Sequence, residues 1–344
     1  MSVTIRIKEK TISRDGPIYV IAEMACAHGG DMEKAKRLVD AAVNAKADAV
    51  QLQFFSGKDL MTPDHEVYKL LCKLEFSPEQ WGEIYEHARK SPIHVFACTY
   101  DMPSAKLAIE LGVDGIKVNS SDLSNPDLLK ILARSGIPFT LGTGASTVEE
   151  IAGAVNTSLQ HSGDKIVIMH GMQNFPTRLK NAHIKKIGML GSLFPFPVGY
   201  QDHTDASDPF SRVVDLLAVG AGACVIEKHL TLDRSERGID YQAALEPREF
   251  EEFVRTIRTA ECAMGPNRIL PLSEDEREYR EFQKKSIVAI RSMKPGEIIK
   301  REDIAFMRTP KMGLQPTRVN QVLGKTLIHA LARHETLLLK YLKE

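Results

Sequence analysis

The sequence predicts a (β/α)8, or TIM, barrel followed by a small β-rich domain. Three observations carry that prediction. Short runs rich in β-branched residues alternate with longer segments of helical period; eight such runs precede residue 264; and the alternation then stops at a charged stretch that leads into a new strand. An all-helical fold fails because the runs are too short and β-rich. The competing open α/β sheet would need only about five or six strands and a Gly-rich first turn. His28-Gly29-Gly30-Asp31 lacks the spacing of that turn.

In chain order the barrel strands are expected at 19–22, 49–52, 94–98, 115–118, 139–141, 165–169, 197–200 and 223–226. Between them lie amphipathic stretches such as 32–45 and 78–89, where apolar residues recur at three- and four-residue steps. Asp31 and Ser77 can cap their helices, Thr147 with Glu150 fits a capping box, and Pro209 after Asp208 suits a first turn. The helices therefore begin shortly after each strand's polar tail, which puts the tails in the βα loops. These tails are Glu23, Gln53, Thr99, Ser120 with Ser121, Thr143 with Gly144, residues 170–173, Asp202 with His203, and His229. All are expected on one rim, where barrel enzymes carry their chemistry.

Gly265-Pro266-Asn267 ends the last long helix, and a charged stretch over 273–285 leads into a strand at 286–291. A turn at 293–297, an element over 298–306 around Glu302-Asp303, and another over 319–331 with a Gly324-Lys325 turn complete the tail. The expected organisation is a barrel over 1–270, a linker over 271–285 and a small domain over 286–344. About sixty residues is near the lower limit for independent stability, so this domain should lean on the barrel or on a second subunit.

The 45 basic and 45 acidic side chains cancel, so no global field favours nucleic acid or an anionic membrane, and small-molecule partners are expected. No run approaches a membrane span and the N-terminus lacks a leader pattern, which makes a cytoplasmic location the expectation. Five scattered cysteines without a CxxC pair argue for free thiols rather than a disulfide framework or thiolate metal site.

Chemistry concentrates on His203, in Gln201-Asp202-His203-Thr204, and His229, in Glu227-Lys228-His229. Two neutral imidazoles on successive strands can hold a borderline divalent ion and leave positions open for a substrate oxygen. Two histidine ligands, without the third of a hydrolytic zinc site, suit an exchangeable Mn, Mg or Co-type ion better than permanent zinc. The plainer alternative is that each ring only hydrogen-bonds within its loop. Glu23 should face the cavity, and Lys117, ending the fourth strand, can hold a carboxylate or phosphate as a point charge. An ion pair between the two is the competing role. Thr99, Ser120, Ser121 and Thr143-Gly144 can cradle an anion or simply make turns, and Asp240, after Arg237-Gly238, can hold a sugar hydroxyl or stay solvated.

These motifs resemble the sialic acid synthase family, which includes the pseudaminic, legionaminic and spore-coat polysaccharide synthases. The resemblance rests on Ile21-Ala-Glu-Met-Ala-Cys-Ala-His28, Ala47-Asp-Ala-Val-Gln-Leu-Gln53, Gly115-Ile-Lys-Val-Asn-Ser120, Gly199-Tyr-Gln-Asp-His-Thr204 and Val225-Ile-Glu-Lys-His-Leu-Thr-Leu-Asp233. The tail from Ser286 to about Leu331 resembles that family's antifreeze-like (SAF) domain. The resemblance implies metal-dependent condensation of phosphoenolpyruvate with an N-acetylmannosamine-like aldose, giving a nonulosonic acid and phosphate for surface polysaccharide. It implies Lys117, Thr99 and Ser120 around the donor, Glu23, Gln53 and Asp240 near the acceptor sugar, Glu227 beside the metal, and Phe175 in place of a tyrosine. It also implies a domain-swapped homodimer in which Arg308 approaches the sugar's acyl group; a solvated arginine is the alternative. The chain departs from the family pattern at Gln51, where a lysine is usual, at Gly142 and Gln201, where serines are common, at Ala27 and Gly29 beside His28, and across 171–177. A barrel aldolase-type enzyme with another donor, or a catalytically silent scaffold, are the competing functions.

Overall fold

The computed structural model describes residues 3–266 and 268–343, and the chain divides after Pro266 into two compact units. The first unit opens with an antiparallel hairpin, β1 (Ile5–Ile7) and β2 (Lys10–Ile12). Eight parallel strands follow: β3 (Tyr19–Glu23), β4 (Ala49–Phe54), β5 (His94–Thr99), β6 (Gly115–Val118), β7 (Phe139–Gly142), β8 (Ile166–Gly171), β9 (Val198–Asp202) and β10 (Val225–His229). They pair in sequence order, and β10 pairs with β3, closing the barrel.

Every expected strand is present, and all but β6 run on past the expected C-terminal end. The extensions take in Glu23, Gln53, Thr99, His170, Asp202 and His229, polar residues read above as loop. Glu23 and His229 are register partners on β3 and β10, so these side chains stand on the barrel wall rather than on flexible connections.

The wall is packed on both faces. Outside, strand residues such as Val20, Val50 and Ile226 meet the helices. Inside, Tyr19, Ile21, Ala49, Phe96, Val167, Met169 and Val225 form a separate apolar layer with Ile5, Ile7 and Ile12, so the hairpin plugs one end of the barrel. That layer leaves no room for further side chains: a Cβ at Gly115 would overlap the Phe96 ring, and one at Gly199 would overlap Met169.

Helix Met32–Asn44 is capped by the Asp31 carboxylate, and helices Pro78–Ala88 and Val148–Leu159 carry capping boxes from Ser77 with Gln80 and Thr147 with Glu150. Pro209 does not open a helix. The helix starts later, at Ser211–Gly220, because the Asp208 carboxylate accepts from Phe210 N at 2.8 Å and holds a turn first.

In the second unit, helix Glu274–Gln283 occupies most of the stretch expected as linker; Ser273 with Glu276 caps it and none of its residues is buried. Strands β11 (Lys285–Ala289) and β12 (Ile304–Arg308) pair antiparallel, and Ile287, Met293, Ile299, Ile304, Val322, Leu327 and Leu337 form a separate core. Arg308 is exposed at the end of β12. Among the described residues, no helix is long and apolar enough to cross a membrane.

Candidate functional site

Alternation along the strands turns Glu23, Gln51, Lys117, Gln201 and Glu227 into the barrel, above its apolar layer. Lys117 on β6 reaches β3 and β10, and Gln51 on β4 reaches β10; such contacts between strands that are not neighbours require an interior position. Lys117 Nζ donates to Glu227 Oε1 at 2.6 Å and to Glu23 Oε2 at 3.0 Å, and all three side chains are buried. Burial opposes the ammonium, but Glu227 and Glu23 outweigh it and hold the Lys117 pKa above its ordinary value.

Two glutamines complete this layer. Gln51 Nε2 donates to Glu23 Oε2 and, at 3.2 Å, to Glu227 Oε2; Gln201 Nε2 donates to both Glu227 oxygens, at 3.3 and 3.2 Å. The carbonyl oxygens Gln51 Oε1 and Gln201 Oε1 are buried without a partner. One ammonium therefore serves two carboxylates, and neutral amides supply the other donors. Gln201 needs Gly171 on the adjoining strand, where a Cβ would lie 2.9 Å from Gln201 Cβ.

Above this layer stand the histidines, their ring centroids 5.2 Å apart. His203 Nδ1 donates to the Met172 carbonyl at 2.6 Å, which fixes the tautomer and leaves Nε2 with the lone pair. Burial holds the His203 pKa below its ordinary value and drives that of His229 well below, with His203 itself adding to the effect at His229. Both rings are thus neutral, as metal ligands must be. His229 Nδ1 is buried without a partner, and Asp240 Oδ2 lies 4.0 Å from Nε2. The pair fits a divalent ion as two ligands; among the described residues, no group of three or more His, Cys, Asp or Glu is arranged to hold one. Phe175 packs on His203 with centroids 4.3 Å apart and meets His229 at 5.8 Å. Asp240 is pushed up to about 6 by burial and then by Glu23.

The structure thus gathers Glu23, Lys117, Glu227, His203, His229, Phe175 and Asp240. The other expected residues sit around them in several ways. Gln53 bridges Tyr100 Oη, at 2.5 Å, and Cys26 Sγ, at 3.2 Å. Thr99 Oγ1 is buried and unpartnered. Ser120 Oγ accepts from Gly144 N and Gln173 Nε2, each at 3.1 Å, beside Gly142, whose missing Cβ would lie 2.8 Å from that oxygen. Thr143 turns its hydroxyl onto the Met169 carbonyl at 3.0 Å, so its proton is committed to the wall. Arg308 belongs to the second unit.

Gln51 and Gln201 stood out in the sequence only as departures, and their amide contacts were not expected. The signal was the strand period: counting back two from His203 and from His229 gives Gln201 and Glu227, and counting back two from Gln53 gives Gln51. Gln173, held on Ser120, had no such signal because it lies in a loop.

Residues 38–268 match the NeuB family, and residues 284–343 match the SAF domain. The chain belongs to the NeuB family. It is 32% identical to N,N'-diacetyllegionaminic acid synthase of Legionella pneumophila over 94% of each chain, and 28% identical to human N-acetylneuraminate-9-phosphate synthase over 94% of this chain and 92% of that one. Among solved structures, the N-acetylneuraminic acid synthetase of Leptospira borgpetersenii, in complex with citrate, superposes with a TM-score of 0.76 at 31% identity, covering 81% of this chain and 97% of that one. These relatives are sugar-acid synthases, which supports a sugar-acid-forming enzyme on the NeuB barrel described above.

Proposed function

We propose that this NeuB-family chain condenses phosphoenolpyruvate with the open-chain aldehyde of an N-acetylmannosamine-like aldose, giving a nonulosonic acid and phosphate for surface polysaccharide, as a cytoplasmic homodimer. The observation that carries the proposal is the edge-to-face pairing of two neutral imidazoles, His203 and His229, in the same barrel mouth as a buried lysine bracketed by two carboxylates. A divalent ion held by the two histidines, Mn first and Mg or Co after it, supplies Lewis acidity to the aldehyde oxygen. Lys117 is the fixed cation for the donor's carboxylate or phosphate, and Thr99 and Ser120 add hydroxyl contacts. Asp240 and Gln53 hold acceptor hydroxyls, and Phe175 packs against both histidine rings.

The bond changes then balance. Donor C3 bonds to the aldehyde carbon, whose C=O π bond opens to an alkoxide. Water adds at the cationic C2 and gives one proton to Glu23, which passes it to the alkoxide. The C2–O bond to phosphate then breaks as the remaining C2–OH proton leaves with the phosphate, and a 2-keto acid is left. Glu23 is suited to this because Ala25 N, at 2.7 Å, fixes one carboxylate oxygen while the other faces Lys117.

A second reading, a barrel aldolase-type enzyme with a phosphate-free donor, is favoured by one observation: Gln51 and Gln201 contribute no charge, and Lys117 is already shared by two carboxylates. Phosphate release and product mass separate the two, with Mn and a panel of N-acylated aldoses. Release matched by a product carrying three added carbons supports the first reading. Three added carbons from pyruvate without phosphate release supports the second.

A further inference from the structure

The alternation that turns His203 and His229 toward the cavity sends Asp202 and Lys228, one residue earlier on each strand, out of the barrel toward helix Ser211–Gly220. Asp202 and Lys228 are register partners on β9 and β10. Lys228 Nζ donates to Asp202 Oδ2 and, at 2.9 Å, to Asp215 Oδ2 on that helix, and all three side chains are 0% exposed. The Asp202 carboxylate also accepts from Tyr200 Oη at 3.0 Å, Thr204 N at 3.1 Å and Thr204 Oγ1 at 2.8 Å.

The residues on either side of His203 therefore hang on one carboxylate, and the residue before His229 grips that same carboxylate. A pair of apolar side chains of similar volume would join the strands without the desolvation cost of buried charge. What the ion pair adds is direction. We propose that Asp202 and Lys228 are positioning residues: they cross-link the two strand ends so that the His203 and His229 rings keep the separation a shared divalent cation requires. Asp215, on helix Ser211–Gly220, holds Lys228 from outside the sheet and is not part of the link between the two strand ends. The proposal rests on the metal role given to the histidines above.

The test is Mn(II) titration of the full chain by calorimetry, well below the melting temperature, for the wild type, Asp202→Asn, Lys228→Met and Asp215→Asn. Asp202→Asn and Lys228→Met should weaken Mn(II) binding about 10-fold or more, the usual effect of losing an outer support of a metal ligand. Asp215→Asn should stay within about 2-fold of wild type, because it keeps the cross-link. If Lys228→Met does not fold, the isosteric Asp202→Asn decides. Wild-type affinity in folded Asp202→Asn overturns the proposal, and so does an equal loss in Asp215→Asn, which would mark the cluster as packing alone. A wild-type chain that binds no Mn(II) overturns the metal role itself, and the positioning role falls with it.

Discussion

Replacing Lys117 by methionine tests the buried charge cluster most severely. The substitution keeps most of the side-chain volume but removes the ammonium between Glu23 and Glu227, whose side chains are only 2% and 1% exposed. The stranded carboxylates are not left bare: Glu23 keeps Ala25 N and Gln51, and Glu227 keeps Gln51 and Gln201. Breaking a buried pair by removing one partner costs about 3–5 kcal/mol. For a unit of this size that corresponds to a fall in Tm of about 6–20 °C. Circular dichroism melts at neutral pH read it directly. Adding Glu23→Gln and Glu227→Gln to Lys117→Met should recover much of the loss, because no charge then remains in this cluster. A Lys117→Met protein that melts within a degree or two of wild type would refute the reasoning, since the ammonium would then not be what stabilises the two carboxylates.

Three further outcomes follow from the same geometry. His28 is fully buried against Phe76, and its Nδ1 accepts from Gly30 N at 3.1 Å, so a proton there would face another N–H. Burial, then Lys34, lowers it from the ordinary 6.5 to about 4. Only the unfolded chain takes up that proton between the two values, so the contribution is present above pH 6.5 and lost as the pH falls through about 4. It amounts to about 3 kcal/mol. Urea melts across this range should show that slope in wild type and a shallower one in His28→Asn. His203→Ala and His229→Ala should each abolish turnover and Mn(II) binding while leaving the circular dichroism spectrum unchanged; retained activity in either would remove the histidine pair from the mechanism. Gln51→Lys places a second ammonium beside Glu23 and Glu227 and should lower the KM for phosphoenolpyruvate about tenfold, or about 1.4 kcal/mol; an unchanged KM would show that charge at this position does not govern donor binding.

Much of the barrel was legible because its signals are local. Runs such as Tyr19-Val-Ile-Ala22 and the caps at Asp31, Ser77 and Thr147 depend on a few adjacent residues, and they appear where expected. Strand ends were harder. Glu23, Gln53 and His229 are polar and look like loop in a one-dimensional pattern, yet the hydrogen-bond ladder of a closed wall carries them along. The hairpin at Ile5–Ile7 and Lys10–Ile12 was missed, although Ile5 and Ile7 alternate with Arg6 as a half-buried strand does, because three residues are too few to register.

Within the site, residue types were legible and contacts were not. Gln51 and Glu227 are 176 residues apart in the chain, and only barrel closure brings the amide onto the carboxylate. The absence of a lysine at Gln51 was visible. That the glutamine bridges Glu23 and Glu227 was not. Thr143 had the composition of an anion loop, but its hydroxyl faces the neighbouring strand's carbonyl.

The most direct measurement of the central claim is a single incubation of the purified chain with Mn(II), N-acetylmannosamine-type aldoses and phosphoenolpyruvate, read for inorganic phosphate and for product mass. Stoichiometric phosphate together with a 2-keto acid three carbons longer than the aldose, lost on chelation and absent in His203→Ala, is the predicted result. No phosphate with any aldose, in a protein that binds Mn(II) and is folded, would contradict it.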